Sequence, residues 1–280
     1  MEQFSSGSKR NYYGKGDVTV YRLDRDGSGP GGRFPVFGAN VLLLIYGDAF
    51  WPTYTSGDNT NLIATDSMKN FIQRETMNFK GSDLEAYCQF IAEGFMRTYP
   101  QTEGAQVTAT EIPYEGLDAG HVAFAPGGPE RAFARTEIAR EGTELQTVEA
   151  VSGIKGFRLL RLDGSAFTGF VRDRYTTLPD VANRPLHMWL DLEWSYTEAV
   201  MVSRVREMVW QVFKEFESGS IQEVIYQLGS KMLAEIPSIR EIRLEANNRT
   251  WDMVIEQGER MGIYTDPRPP YGCLGLTLRR

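Results

Sequence analysis

Histidine and cysteine are nearly missing from this chain. Two of each occur in 280 residues: His121, His187, Cys88 and Cys273. No Cys-x-x-Cys pair and no His/Cys cluster forms, so neither a disulfide framework nor a zinc site is expected. The acidic residues are not spaced like a calcium-binding loop, and no metal is assigned. Cys88 lies among helix formers and reads as a buried thiol. Long apolar runs are missing too; none approaches the roughly 20 residues of a membrane span, so no membrane is expected as a partner. The first 16 residues lack the apolar stretch of a secretory leader. The final Leu-Thr-Leu-Arg-Arg is not a peroxisomal tripeptide, and a cytoplasmic protein is the expectation. Positive charge is in deficit, with 30 Lys+Arg against 37 Asp+Glu and a formal net charge of −7. That balance argues against nucleic acid as a partner. It leaves room for a small anion held by one or two local arginines.

What remains is ordinary for a globular protein: 41% hydrophobic and 24% charged residues, enough to bury a sizeable core. The length allows one large or two ordinary domains. Alternating apolar residues predict a strand over 17–25 and another after the glycine cluster at 27–32. That cluster matches G-x-G-x-x-G. Pro30 lies inside it and a strand pattern follows it, so it reads as a loop between two strands and not as a dinucleotide site. Residues 50–60 read as a polar loop. Leu62 and Ile63 are β-prone, Thr65-Asp66-Ser67 favour a helix N-cap, and Met68, Phe71 and Ile72 follow at helical spacing. The expectation is a strand ending at Thr65 that turns straight into a helix. Its first-turn N–H groups would then be available to an anion. Helices are predicted at 67–79 and 83–98, then strands at 106–112, 121–124, 131–140 and 144–151.

The second half repeats the order. Strands are predicted at 156–163 and 186–194, a long amphipathic helix at 196–217, a second helix at 221–234, a strand at 238–245, a turn at 264–272 and a closing strand at 273–278. This is a duplication of pattern, with domains expected at 1–152 and 153–280. Strand runs with helices grouped between them predict an α+β fold of mostly antiparallel sheets with paired helices.

Five stretches also carry a resemblance. They are Tyr-Tyr-Gly-Lys-Gly from residue 12, Ala-Thr-Asp-Ser-Met-Lys-Asn from residue 64, the long run from Phe167 to Arg184, Ser-Ile-Gln-Glu-Val-Ile-Tyr from residue 220, and Leu-Glu-Ala-Asn-Asn-Arg-Thr-Trp from residue 244. In this order they resemble the motifs of the urate oxidase (uricase) family, in its bacterial type. The resemblance implies two tandem T-fold (tunnelling-fold) domains that close a barrel on oligomerisation. It further implies that two barrels stack into a homotetramer with active sites at subunit interfaces. It implies no cofactor, with urate and molecular oxygen as partners and 5-hydroxyisourate and hydrogen peroxide as products. It places Lys15 and Thr65 as catalytic residues. Asp66 is placed as a backbone donor to substrate, Phe167 as a stacking face and Leu178 on the pocket wall, while Arg184, the Ile221 backbone donor and Gln222 form the polar clamp. Asn247 is placed beside the oxygen site. Thr65 and Asp66 would come from one subunit, and Phe167, Arg184 and Gln222 from its neighbour.

The pattern departs at one point. Where the family carries a histidine two residues after that asparagine, this chain has Arg249, a third candidate catalytic residue. An arginine stays protonated and accepts no hydrogen bond, so it cannot relay a proton as imidazole does. His187 could substitute only if folding brought it to the pocket. Two alternatives therefore stand beside urate oxidation: a related oxidase of another purine-like heterocycle, and an inactive purine-binding homologue.

Overall fold

The computed structural model describes residues 11–25, 35–117, 122–249, 251, 253–257 and 261–280. The chain divides into two compact units, Met1–Ser152 and Gly153–Arg280. The glycine cluster at 27–32 and His121 lie outside the described residues.

In the first unit the strands are β1 (Tyr12–Leu23), β2 (Val36–Tyr46), β3 (Gly104–Glu111), β4 (Tyr114–Gly116), β5 (Phe124–Pro126), β6 (Arg131–Glu141) and the start of β7 (Glu144–Arg161). Helices α1 (Trp51–Ser56), α2 (Thr65–Asn78) and α3 (Leu84–Thr98) lie between β2 and β3. The main sheet runs β1-β2-β3-β6-β7, and β4 with β5 makes a separate hairpin. Period-two alternation sends Val41, Leu43 and Ile45 of β2 and Ala105, Val107 and Ala109 of β3 to the buried face. There α2 lies on β1, and α3 lies on β3 and β6. The helices bury Met68 and Ile72, and Cys88, Ile91 and Phe95, at three- and four-residue spacing. Each such aliphatic side chain contributes about 1.5–3 kcal/mol by leaving water. Asp83 caps α3 by accepting from the Ala86 N–H at 2.8 Å. Between the helices the Thr76 and Tyr87 hydroxyls share a buried hydrogen bond of 2.7 Å. Burial pushes the Tyr87 phenol up to about 12, so it stays protonated and the link survives any physiological pH.

The second unit takes the rest of β7, then β8 (Leu186–Tyr196), β9 (Ile239–Asn248), β10 (Met253–Gln257), β11 (Met261–Tyr264) and β12 (Gly272–Arg279), with helices α4 (Val202–Glu215) and α5 (Ile221–Glu235). Its sheet order is β7-β8-β9-β12, and β10 pairs only with β11. Leu190, Leu192 and Trp194 alternate inward from β8, as do Ile242, Leu244 and Ala246 from β9. They meet Val205, Met208 and Val209 of α4 and Val224, Ile225 and Leu228 of α5. The pairs β1–β2, β2–β3, β3–β6, β8–β9 and β9–β12 are all antiparallel. The α+β expectation holds.

Several local expectations are corrected. No strand precedes α2: residues 61–64 are irregular, and Thr65 is already helical. The segment is fixed by one side-chain bond, from the Ile63 N–H to Tyr13 Oη at 2.9 Å, and by burial of Ile63, with no sheet ladder. The helix expected at 196–217 begins only at Val202, because Tyr196 pairs with Ile239 and the Thr197 N–H donates to the Ser238 carbonyl at 2.9 Å. Tertiary pairing there outweighs helix periodicity. The strands at 144–151 and 156–163 are one strand. Gly156 takes φ 83° without breaking it, and its N–H is satisfied by Asp191 Oδ1 at 2.7 Å. The strand expected at 121–124 starts only at Phe124. Residues 51–56, read as loop, form α1. Pro52 stands at its start and Gly57, at φ 70°, closes it. The strand at 238–245 runs on to Asn248, and the β10–β11 hairpin had no expectation.

Candidate active site

Lys15, Thr65 and Asp66 belong to the first unit. Lys15 sits in β1 where the register with β2 shifts, between the pairs Lys15↔Leu43 and Val18↔Val41. Asp17 absorbs the bulge at φ 58°, and its carboxylate accepts from Asn40 Nδ2 at 2.6 Å. Two residues before Lys15, the Tyr13 phenol accepts the Ile63 N–H; two residues after Ile63 comes Thr65. One hydrogen bond thus ties the strand that carries Lys15 to the segment that carries Thr65. The Tyr13 ring is braced edge-on by Phe50 at 5.1 Å, and burial pushes its phenol pKa up. Tyr13→Phe should orphan the Ile63 N–H, costing about 1–3 kcal/mol. The expected outcome is a thermal midpoint a few degrees lower by calorimetry.

Thr65 opens α2 after Ala64, which has no side-chain oxygen to cap the helix. A Ser or Asp there would be worth about 1 kcal/mol. Its lack leaves the first-turn N–H groups without an intrahelical or side-chain acceptor. Asp66 is exposed, with its carboxylate on Lys69 Nζ at 2.5 Å and Asn70 Nδ2 at 2.9 Å. The Lys69 hydrogen bond and charge hold its carboxyl below the usual range, and Lys15 contributes in the same sense. That places the Lys15 charge near the start of α2.

The second unit holds a shallow cavity of about 130 Å3. Its wall includes Phe167, Leu178, Arg184, Ile221 and Gln222. The long 162–185 connection is held in shape by short ladders. Phe167 and Val181 exchange both backbone bonds, at 2.8 and 3.0 Å, and the Arg184 N–H donates to the Ser165 carbonyl at 2.9 Å. Ala166 donates to Ser218 at 2.8 Å, and Ser218 to Gly164 at 3.0 Å. Ser218 lies three residues before Ile221, so these bonds bring Phe167 and Arg184 to the start of α5. Farther out, Arg172 pairs with Asp180 at 2.8 Å, and Asp180 also accepts from the Gly169 N–H at 3.0 Å. The Arg184 guanidinium lies over the Phe167 ring at 5.5 Å. Burial lowers its pKa from the usual arginine value, and it remains cationic at neutral pH. Its Nε is shut from water without an acceptor among the described residues. Ser220 caps α5 by accepting from Glu223 N at 3.2 Å, which leaves the Ile221 and Gln222 N–H groups ahead of the helical ladder. The cavity therefore offers an aromatic face, a cation, a carboxamide and two helix-terminal donors. That set suits a flat, hydrogen-bonding, anionic ring.

Asn248, and not Asn247, stands on the cavity wall, beside Gly272 and Leu274 of β12. Strand alternation is the reason: Asn248 shares a face with Leu244 and Ala246, whereas Asn247 sits between Trp189 and Cys273 on the other. The alternation was present in the sequence and would have chosen Asn248 had β9 been extended past residue 245. Arg249 does not line the cavity either. Its guanidinium is sandwiched 3.9 Å from the Trp189 ring and 3.9 Å from the Tyr271 ring, a cation–π arrangement that a flat guanidinium fills well. His187 is likewise absent from the cavity wall. It stacks on Trp251 at 5.4 Å, and its carbonyl accepts the Arg249 N–H at 3.0 Å. Burial lowers its pKa, assisted by Arg158 and Arg249. Tyr13, Gly272 and Leu274 are further residues to which the sequence assigned no role. For Tyr13 the signal was its place in the Tyr-Tyr-Gly-Lys stretch.

Among the described residues no group of three or more His, Cys, Asp or Glu could hold a metal ion. No helix among them is long and apolar enough to cross a membrane.

This α+β fold with a cavity for a flat anion defines a class, and comparison with known proteins gives it a family. A profile described as Uricase matches residues 150–272. The chain is 35% identical over 300 residues to a uricase of Haloferax volcanii, covering 96% of this chain and 97% of that one. It is 35% identical over 299 residues to the uric acid degradation bifunctional protein PucL of Bacillus subtilis. That match covers 96% of this chain and 60% of PucL, so the chain spans about three fifths of that relative. The crystal structure of the urate oxidase of Bacillus sp. TB-90 superposes with a TM-score of 0.88 at 33% identity, covering 96% of this chain and 100% of that one. The chain belongs to the uricase family.

Proposed function

We propose that this protein is a urate oxidase of purine degradation, converting urate, O2 and water to 5-hydroxyisourate and H2O2 without a cofactor. The observation that carries the reading is the second-unit cavity, where the half-buried Arg184, with an unanswered Nε, lies against Phe167 beside Gln222 and the α5 N-terminus. Urate is planar and anionic, and it presents carbonyl and deprotonated nitrogen acceptors to such donors. Phe167 stacks on the ring, Leu178 and Ile221 close its apolar edges, and Arg184 with Gln222 clamps it edge-on. Stabilised as a dianion, the ring can itself surrender electrons to O2. Lys15, acting through Thr65 in its neutral amine form, takes the proton, and the Asp66 N–H adds a donor at the α2 start. The asparagine role beside oxygen passes from Asn247 to Asn248. Arg249 acts by packing and takes no proton. In this reading the chain is a cytoplasmic homotetramer in which subunit pairs close the barrel. The Lys15–Thr65 half-site of one copy faces the Phe167–Arg184 half-site of another.

The test follows urate loss by ultraviolet absorbance together with oxygen uptake and peroxide release on metal-free protein. Equal loss of urate and oxygen and equal gain of peroxide is expected. Urate that binds without being consumed would instead indicate an inactive binder, the alternative that the missing histidine at 249 favours. Turnover of another purine with urate untouched would indicate a related oxidase. Arg184→Met should raise KM for urate roughly 10–100-fold, because a charge-assisted hydrogen bond is worth about 1.5–3 kcal/mol; steady-state kinetics measures it.

A further inference from the structure

A second and larger recess, of about 330 Å3, lies in the first unit. Five aromatic side chains line it: Tyr12 and Tyr13 from β1, Phe50 from the turn before α1, and Trp51 and Tyr54 from α1. Its polar groups include two carboxylates, Asp48 and Glu103, and no basic side chain lines it among the described residues. The walls are held in place. Tyr54 Oη donates to the Tyr12 carbonyl at 3.1 Å, tying α1 to β1. The Trp51 and Tyr54 rings stand 5.9 Å apart, tilted by 34°. Tyr13 is braced by Phe50. The Asp48 backbone N–H donates to Glu103 Oε1 at 3.0 Å, which fixes the Glu103 carboxylate against the turn that carries Asp48. Yet the aromatic surface of α1 stays open: Trp51 is 49% and Tyr54 55% exposed.

Electron-rich rings around a cleft with two negative charges, and no positive one among the described residues, make a poor site for urate and a good one for a cation. We infer that this recess binds an organic cation, a guanidinium or an alkylammonium. Its flat or methylene part lies on Trp51 and Tyr54 and its charge faces Asp48 and Glu103. The cation comes either from a free small molecule or from a basic side chain of a second copy of this chain; the chemistry of recognition is the same. The site is independent of the urate reading, and its test does not use turnover.

Titration of the full-length protein with butylguanidinium chloride, at ionic strength held constant with NaCl, is read by tryptophan fluorescence, with Trp51→Phe identifying the reporting ring. Butylurea serves as the neutral isostere. If the cation is free, butylguanidinium saturates and butylurea does not, and Asp48→Asn weakens binding about tenfold while circular dichroism is unchanged. If a second copy supplies it, the wild-type assembly takes up no probe, and the double variant Asp48→Asn, Glu103→Gln sheds subunits in sedimentation velocity. Equal response to butylurea, or no uptake by the wild type together with an unchanged sedimentation profile for the double variant, overturns the assignment.

Discussion

Replacing Lys15 with methionine is expected to lower kcat for urate oxidation by roughly 10²–10⁴-fold, the range that a positioned acid–base group contributes. Methionine keeps most of the four-atom stem and removes only the proton acceptor. KM for urate should change little, because the proposed clamp of Phe167, Arg184 and Gln222 belongs to the other unit. A spectroscopic titration under nitrogen separates the two effects: binding persists while oxygen uptake stops. Thr65→Val should behave alike, since it removes the hydroxyl at the α2 start without adding bulk. If Lys15 acts through Thr65, the double variant will lose no more than the worse single one. A Lys15→Met enzyme of undiminished kcat would remove Lys15 from the mechanism.

Gly14→Ala is expected to be among the most damaging single substitutions in the first unit. A Cβ at Gly14 would stand 1.9 Å from the Leu43 carbonyl oxygen and 2.9 Å from Leu44 Cα. Both are backbone atoms of the neighbouring strand and cannot rotate away. The β1–β2 pairing must therefore separate at Gly14↔Leu44 and Lys15↔Leu43. A loss on the order of 3 kcal/mol or more follows, the size seen for overpacking that moves backbone. Urate turnover should fall with it, because Lys15 is the next residue. Gly16→Ala is the matched control: its added methyl meets only Leu42 Cδ1, at 3.2 Å, the end of a flexible side chain. Thermal unfolding of the two variants beside the wild type is the measurement. A Gly14→Ala midpoint equal to that of Gly16→Ala would refute the close approach.

Element type was legible wherever periodicity and local chemistry agreed. The two helix pairs follow from apolar spacing around Met68, Ile72 and Ile91, and around Val205, Val224 and Leu228. Reading failed where a distant partner settled a short segment. Ile63 looked like a strand because it is apolar and β-branched, but what holds it is the phenol of Tyr13, 50 residues away in sequence. Residues 196–201 looked helical until pairing with residues 238–239 claimed their first positions. Alternation within β9 distinguishes Asn248 from Asn247 only once the strand's end is known.

The sequence by itself determined the alternation that builds the sheets, the helix pairs between them, and the motif order that marks the family. These depend on residues within a few positions of one another, so a one-dimensional pattern records them. Tertiary structure alone decided which candidates share a surface. It set Phe167 and Arg184 against the start of α5, and it packed Arg249 between Trp189 and Tyr271 away from that cavity. It also gathered Tyr12, Tyr54, Asp48 and Glu103 around a recess of opposite charge. Such groupings depend on register and on side-chain bonds between distant segments, and neither leaves a periodic mark in the chain.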